Sequence, residues 1–319
     1  MRTALPSGRL LVAAAVAALL VGGRAYADDG DRGEPAPRRP DASWREIFGG
    51  PFQTSRLFSM PTADVVGAYQ ISLSGDASLL AKNDTLSTSS VVALGFGDIA
   101  QLEYRSAAAI TTLQPDPFGM PTVGVQLKVP LRPRRYVPSF AVALRFGFTH
   151  TDKVGAVTHD ERATDFYLVS RLRLWGALER VTLHGGLRVS AAQIDSTGEP
   201  MLDGVRRNLP LPAGGIEVRV TDDAIIAAEL AEVPLFDPGD ATRPSEIRSG
   251  LFGRAGIRWH LLPAVVFDAS FGYRLEIGRA GAQAGSMFDA LVDWDMRLGG
   301  EIFVPWGAMV CKAAGIFCE

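Results

Sequence analysis

The sequence predicts an all-β chain: an antiparallel, up-and-down sheet of about twelve strands, closed into a membrane-spanning barrel behind a cleaved leader. Three observations predict it. Apolar and polar residues alternate along most of the chain, the connections between alternating segments run short and long in turn, and no apolar run after residue 62 is long enough for a spanning helix.

The leader comes first. Arg2 and Arg9 precede an apolar run from Leu10 to Gly22, which leads to the small-residue site Ala25-Tyr26-Ala27. That order is a secretory signal over 1–27 with cleavage expected after Ala27. A membrane anchor helix is the competing reading, but the run falls short of the roughly 20 apolar residues a span needs and Arg24 interrupts its end. No Cys follows closely enough to take a lipid.

Removing the leader takes three Arg and no acid, so 32 basic against 35 acidic residues becomes 29 against 35. Nothing in the mildly acidic balance of the mature chain suggests a nucleic-acid partner, which would normally appear as a concentrated basic face. Residues 28–62 read as a flexible periplasmic lead-in. Their first part, 28–43, is rich in Asp, Gly, Pro and Arg and has scarcely any large apolar side chain to offset the entropy of ordering.

The barrel is expected over 63–303. Its clearest strand sets Val265, Phe267, Ala269, Phe271, Tyr273, Leu275 and Ile277 against Asp268, Ser270, Gly272, Arg274 and Glu276. The next opposes Ala290, Val292, Trp294, Met296 and Leu298 to Asp289, Asp293, Asp295 and Arg297. Two earlier segments, around Phe140 to Phe148 and Val123 to Val129, repeat the pattern. Extended over the chain, it gives strands at 65–76, 90–97, 99–108, 120–131, 138–149, 163–175, 181–193, 209–221, 224–235, 247–260, 264–277 and 288–303.

Tight turns are expected at Gly97-Asp98, Arg132 to Val137, Gly176 to Arg180, Thr221 to Asp223 and Leu261 to Pro263. Longer polar loops fall between, at 77–89, 109–119, 150–162, 194–208, 236–246 and 278–287. Short connections at one end and long ones at the other are the layout of a barrel whose turns lie in the periplasm. A ten-residue strand rises ~33 Å and, tilted near 45°, spans ~23 Å, close to the ~25 Å apolar band. In lipid an open edge would leave backbone groups unpaired, so the sheet must close. Phe96, Phe148, Phe166, Trp259, Phe288 and Trp306 near the strand ends suit an interfacial girdle. A soluble β-sandwich also alternates, but it would turn its apolar faces toward a second sheet.

These residues resemble the bacterial outer-membrane β-barrel superfamily, porin-like members included, over roughly 63 to 303. The resemblance is one of layout, and it implies an outer-membrane location in a Gram-negative-type envelope. The partners it implies are outer-membrane lipids and the export and barrel-assembly machinery. Such barrels typically end on a strand with a terminal aromatic, whereas here Phe303 is followed by a tail over 304–319. Assembly would then read Trp294 to Phe303 internally. In that tail Cys311 and Cys318 can close a small loop in an oxidising compartment, or remain two thiols.

The inward parity collects Arg105, Lys128, Arg145, Arg171, Arg173, Arg188, Arg219, Arg248, Arg254, Arg258, Arg274 and Arg297. With them come Glu103, Glu217, Glu229, Asp268, Glu276, Asp289, Asp293, Asp295 and Glu301. In a dry interior these must pair, and otherwise they stand in water. One reading is a channel passing small polar or anionic solutes past a cationic wall. The other is a closed barrel, filled by its own ion pairs, with a structural or partner-binding role.

Catalysis is not expected. His150 and His159 fall in one external loop, His184 and His260 on separate inner faces, and neither Ser190 nor Asp268 sits in a nucleophile motif. No cofactor or metal is indicated either. Gly95-Phe96-Gly97-Asp98 suits a hairpin, Gly185-Gly186 and Gly299-Gly300 suit bends, the two Cys lack further zinc ligands, and Asp237, Asp240 and Glu246 fit no calcium loop.

Overall fold

The computed structural model describes residues 43–316 except 51, 81–84, 112–120, 130–136, 155, 199–203, 238–243 and 276–293. The leader, Glu276, Phe288, Asp289, Asp293 and Cys318 lie outside the described residues, as do most of the expected turn at 132–137 and the whole of the loop at 278–287.

Thirteen strand segments form one sheet: β1 (Ile71–Leu80), β2 (Thr85–Phe96), β3 (Ala100–Thr111), β4 (Thr122–Lys128), β5 (Ser139–Gly147), β6 (His150–Val154), β7 (Val157–Arg173), β8 (Val181–Gly198), β9 (Val205–Arg219), β10 (Ala224–Asp237), β11 (Glu246–Leu262), β12 (Val265–Arg274) and β13 (Trp294–Val304). Every neighbour pair is antiparallel, β1 meets β13, and β5 as well as β6 pairs with β7. The sheet therefore closes on itself. Because β5 and β6 are two pieces of one stave interrupted at Phe148–Thr149, the barrel has twelve staves.

The two faces divide as the alternation requires. Leu73, Val92, Leu102, Val125, Phe146, Leu168, Leu187, Ile257, Phe271, Met296 and Leu298 are exposed on the outside, while Ala141, Ala143, Gln101, Gln126, Asp295 and Glu301 are buried inside. A greasy exterior around a polar interior is what hydrocarbon demands and water would not. Phe96, Phe148 and Trp259 are exposed near strand ends, whereas Phe166, also exposed, stands at the middle of β7 because that strand begins earlier than expected. Trp306 is not part of that girdle. It opens a second helix, α2 (Trp306–Ala314), and packs edge-on against Tyr69 with ring centroids 5.4 Å apart.

Turn chemistry fixes one end. Gly97 and Asp98 both have positive φ, 60° and 55°, the primed-turn conformation that Gly and Asp tolerate. Gly176 to Leu178 form a single 3₁₀ turn. At the other end the strands run further than expected. β7 and β8, with 17 and 18 residues, rise ~56–60 Å and, tilted near 45°, cover ~40 Å, well beyond the ~25 Å apolar band. Much of the segments expected to be loops at 150–162 and 194–208 is thus strand. Beyond the apolar band no lipid lies against the outer face, so polar residues stand on both faces, as at Thr158, His159, Asp160 and Glu161, and the sequence carries no period-two signal there.

The first expected strand, 65–76, begins only at Ile71. Val65 and Val66 are buried inside the barrel, and Tyr69, with φ 53°, turns the chain into β1. The lead-in assigned to 28–62 is likewise corrected over its described end. A short helix, α1 (Trp44–Ile47), opens with a capping box between Ser43 and Glu46. From Thr54 onward the chain packs within the barrel. A flexible lead-in fits the composition of 28–43, but Leu57, Phe58 and Met60 supply apolar surface to bury.

The two ends of the described residues meet at the turn end of the barrel. Lys312 of α2 lies 5.6 Å from the Trp44 ring, and the Gly307 amide donates to Tyr69 O at 3.1 Å.

Candidate functional site

The interior is occupied by the chain's own residues 54–66. Thr62 N donates to Ser55 O at 2.9 Å and Leu57 N to Met60 O at 3.0 Å, with a bridge between Arg56 and Pro61, so the segment is a small hairpin tipped by 57–60. We call it the plug.

Two charged side chains hold its tip. Glu229 of β10 accepts from the amides of Phe58 (3.1 Å), Ser59 (3.1 Å) and Met60 (3.3 Å) and from the Ser59 hydroxyl (2.6 Å). Arg258 of β11, 1% exposed, donates to Leu57 O (2.5 Å), Arg56 O (3.2 Å) and Thr54 Oγ1 (2.9 Å) and pairs with Asp268 (2.8 Å). Beneath the tip Leu57, Phe58 and Met60 pack on Ala213, Ala227 and Ala231. Small residues on the wall leave room for the large ones on the plug.

The other limb crosses to the opposite wall. Val66 N donates to Gln101 Oε1 at 2.9 Å, and Gln126 Nε2 donates to Thr62 O and Asp64 O at 2.9 and 2.7 Å. Asp64 pairs with Arg171 at 3.1 Å and Lys128 at 3.6 Å. Ala63 packs on Ala141, Ala143, Tyr167 and Val169. Since β10 and β11 hold one limb and β3, β4 and β7 the other, the plug bridges the lumen.

On the loop side of that crossing, strand register builds a charged row. Glu103, Gly124, Arg145, Asp165 and Ser190 are neighbours across β3, β4, β5, β7 and β8. Gly124 lets Glu103 and Arg145 hydrogen-bond over β4, because a Cβ there would stand 2.9 and 3.0 Å from their Cγ atoms. Arg188 pairs with Asp165 at 2.7 Å, and Arg145 and Arg188 stack on Tyr167 at 4.9 and 5.5 Å from its centroid. With Arg105, three guanidiniums face two carboxylates. Among the described residues Nε and one Nη of Arg105, Nε of Arg188, the hydroxyls of Thr122 and Ser190, and one acceptor, Oδ1 of Asp165, are buried without a hydrogen-bond partner. Each such donor costs about 1–3 kcal/mol if left dry, so the row suits water or an anion.

The remaining expected wall residues sort by depth. Arg254 pairs with Asp295 at 2.8 Å and lies 3.9 Å from Glu229. Arg297 lies 3.5 Å from Asp76 and 3.8 Å from Asp295. Glu217 meets His184 at 3.1 Å and Arg258 at 3.6 Å, and Glu301 bonds to Ser72. Arg173 and Arg219 stand at the turn end. Arg274 closes β12, with its side chain outside the description. Arg248 does not join Arg254 and Arg258. It sits at the loop end, half exposed, paired with Glu246 at 2.8 Å, because β11 extends past the enclosed part of the barrel.

The sequence expectation does not include Asp64, Asp76 and Asp165 among the wall or plug acids. Asp165 shares the parity of Arg171 and Arg173, which was a usable signal, whereas nothing local marks Asp64. His159 is likewise not a solvated loop residue. It is fully buried in β7, with Nδ1 2.9 Å from Ser196 Oγ.

No family model matches the chain, and no curated protein does. Among solved structures it is similar to the NanC porin, with 12% identity over 72% of this chain and 98% of that one at a TM-score of 0.46. It is also similar to the KdgM porin in complex with disordered oligogalacturonate (9%, 73% and 98%, TM-score 0.41). A third likeness is to the translocator domain of autotransporter NalP from Neisseria meningitidis (11%, 73% and 87%, TM-score 0.41). Scores this low carry no argument, and the barrel assignment rests on the strand closure described above.

Ser190 and His184 lie six residues apart on one strand, ~20 Å, far beyond nucleophile–base contact. Among the described residues no group of three or more His, Cys, Asp or Glu is placed to hold a metal.

Proposed function

We propose that the chain is an outer-membrane channel for small anionic solutes, closed at rest by its own N-terminal plug. The observation that carries the reading is the row of Arg105, Arg145 and Arg188, which carries one positive charge more than its acids and has buried donors without partners. A wall of that kind attracts an anion and can replace part of its hydration. The plug's tip is held by hydrogen bonds to two side chains, which can be released singly, so displacement need not disturb the barrel. The leader expected from the sequence and the apolar exterior support an outer-membrane location, with outer-membrane lipids and the assembly machinery as the partners this reading implies.

A second reading, a permanently closed barrel that serves as a structural or binding element, has its own support. Phe236 and Ile247 of the β10–β11 extension are buried with Ala163, Ala192 and Ile194 of β7 and β8, so part of the loop end is covered too. Planar-bilayer recording separates the two. The channel reading expects small, infrequent conductance from the intact protein, larger conductance from Glu229→Gln, and a reversal potential in a salt gradient that indicates anion preference and weakens in Arg105→Gln. Silence from both the intact and the Glu229→Gln proteins, where a control porin conducts, selects the closed barrel.

A further inference from the structure

Strand register sets a cationic row on the outer face of the barrel. Arg162, Gln193 and Arg206 are neighbours across β7, β8 and β9, on the parity of the exposed Phe166. Toward the middle of the barrel the next rows are Thr164, Ala191 and Asn208, then Phe166, Val189 and Pro210, then Leu168, Leu187 and Pro212. The row is therefore the first charged one above the apolar surface, at the depth of lipid headgroups. Both arginines are exposed. Arg162 donates to Gln193 Oε1 from Nε and Nη2 at 3.2 and 2.8 Å, and Arg206 has no side-chain partner among the described residues. In the next row toward the loops Asp160 accepts from the Thr151 hydroxyl at 2.6 Å and Asp195 from Gln193, and among the described residues neither pairs with either guanidinium.

Beneath Arg206 the barrel wall has a seam. β9 and β10 pair only from Arg219 and Ile225 up to Ala213 and Ala231, after which β9 runs on to Val205 against β8 and β10 to Asp237 against β11. Residues 205–212 of β9, ~27 Å of strand, thus have no strand on that side. Prolines stand on both banks. Pro210 and Pro212 of β9 and Pro234 of β10 each keep their place in the ladder on the other side. Proline has no N–H, so a strand tolerates it where that donor would meet no neighbour, and in hydrocarbon the seam is spared those orphan donors. The end of the β10–β11 pair leans inward: Phe236 and Ile247, on the outer parity, are buried with Ala163, Ala192 and Ile194 of the inner faces of β7 and β8. Glu232, which the parity of β10 turns outward at the seam, is engaged within the chain.

We infer that the β7–β9 face beside this seam is a binding site for one phosphate-bearing lipid of the leaflet at the loop end. Its phosphoryl group sits between Arg162 and Arg206, whose strands are two spacings, ~10 Å, apart, within the reach of two arginine side chains. One acyl chain runs down the seam along Pro210 and Pro212. Charge complementarity selects the headgroup, since a phosphomonoester presents uncompensated negative charge and phosphocholine neutralises its own. The site belongs to the outer face of the barrel and does not depend on the lumen or on conduction.

Native mass spectrometry of the full-length protein in dodecyl maltoside, with dioleoyl phosphatidic acid or dioleoyl phosphatidylcholine added, tests the headgroup. One phosphatidic acid per chain is expected to be retained, favoured about thirtyfold, the worth of two arginines at an anionic surface. Arg162→Gln/Arg206→Gln should bring the two lipids together. Arg207→Gln, one residue along but on the inner parity, should leave the preference as it is. Equal retention by the parent protein, or a preference unchanged in the double variant, overturns the site. A phosphatidic acid with a photoactivatable diazirine in its acyl chain, in phosphatidylcholine vesicles, tests the seam: labelling should concentrate at residues 210–213 of β9 and 231–234 of β10, and labelling spread evenly around the exterior overturns the placement of the chain. The heat-modified gel shift checks that each variant still forms the barrel. Neither readout requires conductance, so failure here and failure of the channel reading are distinguishable.

Discussion

Ser59 at the tip of the plug donates its hydroxyl to Glu229 of β10 at 2.6 Å, across 170 residues of sequence. Three successive backbone amides, from Phe58 to Met60, point at the same carboxylate. A peptide tip that curls its N–H groups around one anion is an anion nest, supplied here from the barrel wall. The negative charge that fixes the tip is buried and also lies 3.9 Å from Arg254, so it is held from both sides.

Replacing that charge should loosen the plug without opening the sheet. Glu229→Gln keeps the shape but removes the charge from four hydrogen bonds and offers a single good acceptor. A loss of about 3 kcal/mol is expected, less than four separate charge-assisted bonds would suggest because they share one group. Amide exchange at Phe58 and Met60 should quicken on the order of a hundredfold, while the heat-modified gel shift of the barrel stays as in the parent protein.

A steric route should reach the same end. A Cβ on Gly215 would stand 2.4 Å from Leu57 Cδ1 and 2.9 Å from the Ala228 carbonyl oxygen. The leucine can swing away but the carbonyl cannot, so Gly215→Ala pushes on both the plug and β10. A cost of about 1–3 kcal/mol is expected, read as faster proteolytic cutting within 54–62. Cutting at the parental rate would show that Leu57 repacks freely.

These two residues show what the sequence makes legible. Strand parity alone put Glu229 on the inner face, because lipid on one side and polar groups on the other force the alternation. What Glu229 binds was not legible. Residues 54–66 have no period to mark them, and their partners lie on the far wall as well as the near one. The same holds for Val65 and Val66, which look like the start of a strand because an apolar pair reads alike whether it faces lipid or an interior. Arg254 and Arg258 were legible as a shared face, but their neutralisation by Asp295 and Asp268 depends on side-chain reach across neighbouring strands, which parity does not encode.

The Glu103–Arg145 pair should behave as a buried unit. Both side chains are about 6% exposed, so removing either leaves the other buried without its hydrogen-bonded partner and with only the looser company of Arg105 or Asp165. Arg145→Met alone should cost about 3–5 kcal/mol in urea unfolding from detergent micelles, whereas the double variant Glu103→Leu/Arg145→Met should cost much less. Equal losses in the single and double variants would show that the pair is not coupled.

α1 provides a pH-sensitive contact outside the membrane. The Glu46 carboxylate accepts from the Ser43 amide at 2.6 Å and lies near Lys312, which together hold its pKa below the usual carboxylate value. A depressed folded-state pKa means that the contact adds stability above the unfolded value and loses it as pH falls through the folded one. Titration of Glu46 followed by NMR should therefore give a midpoint below 4.5, and Ser43→Ala should move it upward.

The C-terminal tail offers a test that leaves the barrel intact. Cys311 is fully buried on α2 and is disulfide-bonded, and Cys318, the chain's other cysteine, lies outside the described residues. A bridge between them would close a loop of eight residues and constrain the unfolded tail by about 2 kcal/mol. That constraint falls on the end of α2, which stops at Gly315 in the left-handed conformation. The start of α2 is fixed independently, by Trp306 against Tyr69 and by the Gly307 amide on Tyr69 O. Mass spectrometry should accordingly find no alkylation before reduction and two adducts after it. Reduction should quicken amide exchange in the last turn of α2 and leave the first turn, the plug and the gel shift unchanged. Two adducts without reductant would show that the pair is open, and loss of the gel shift on reduction would show that the tail braces the barrel.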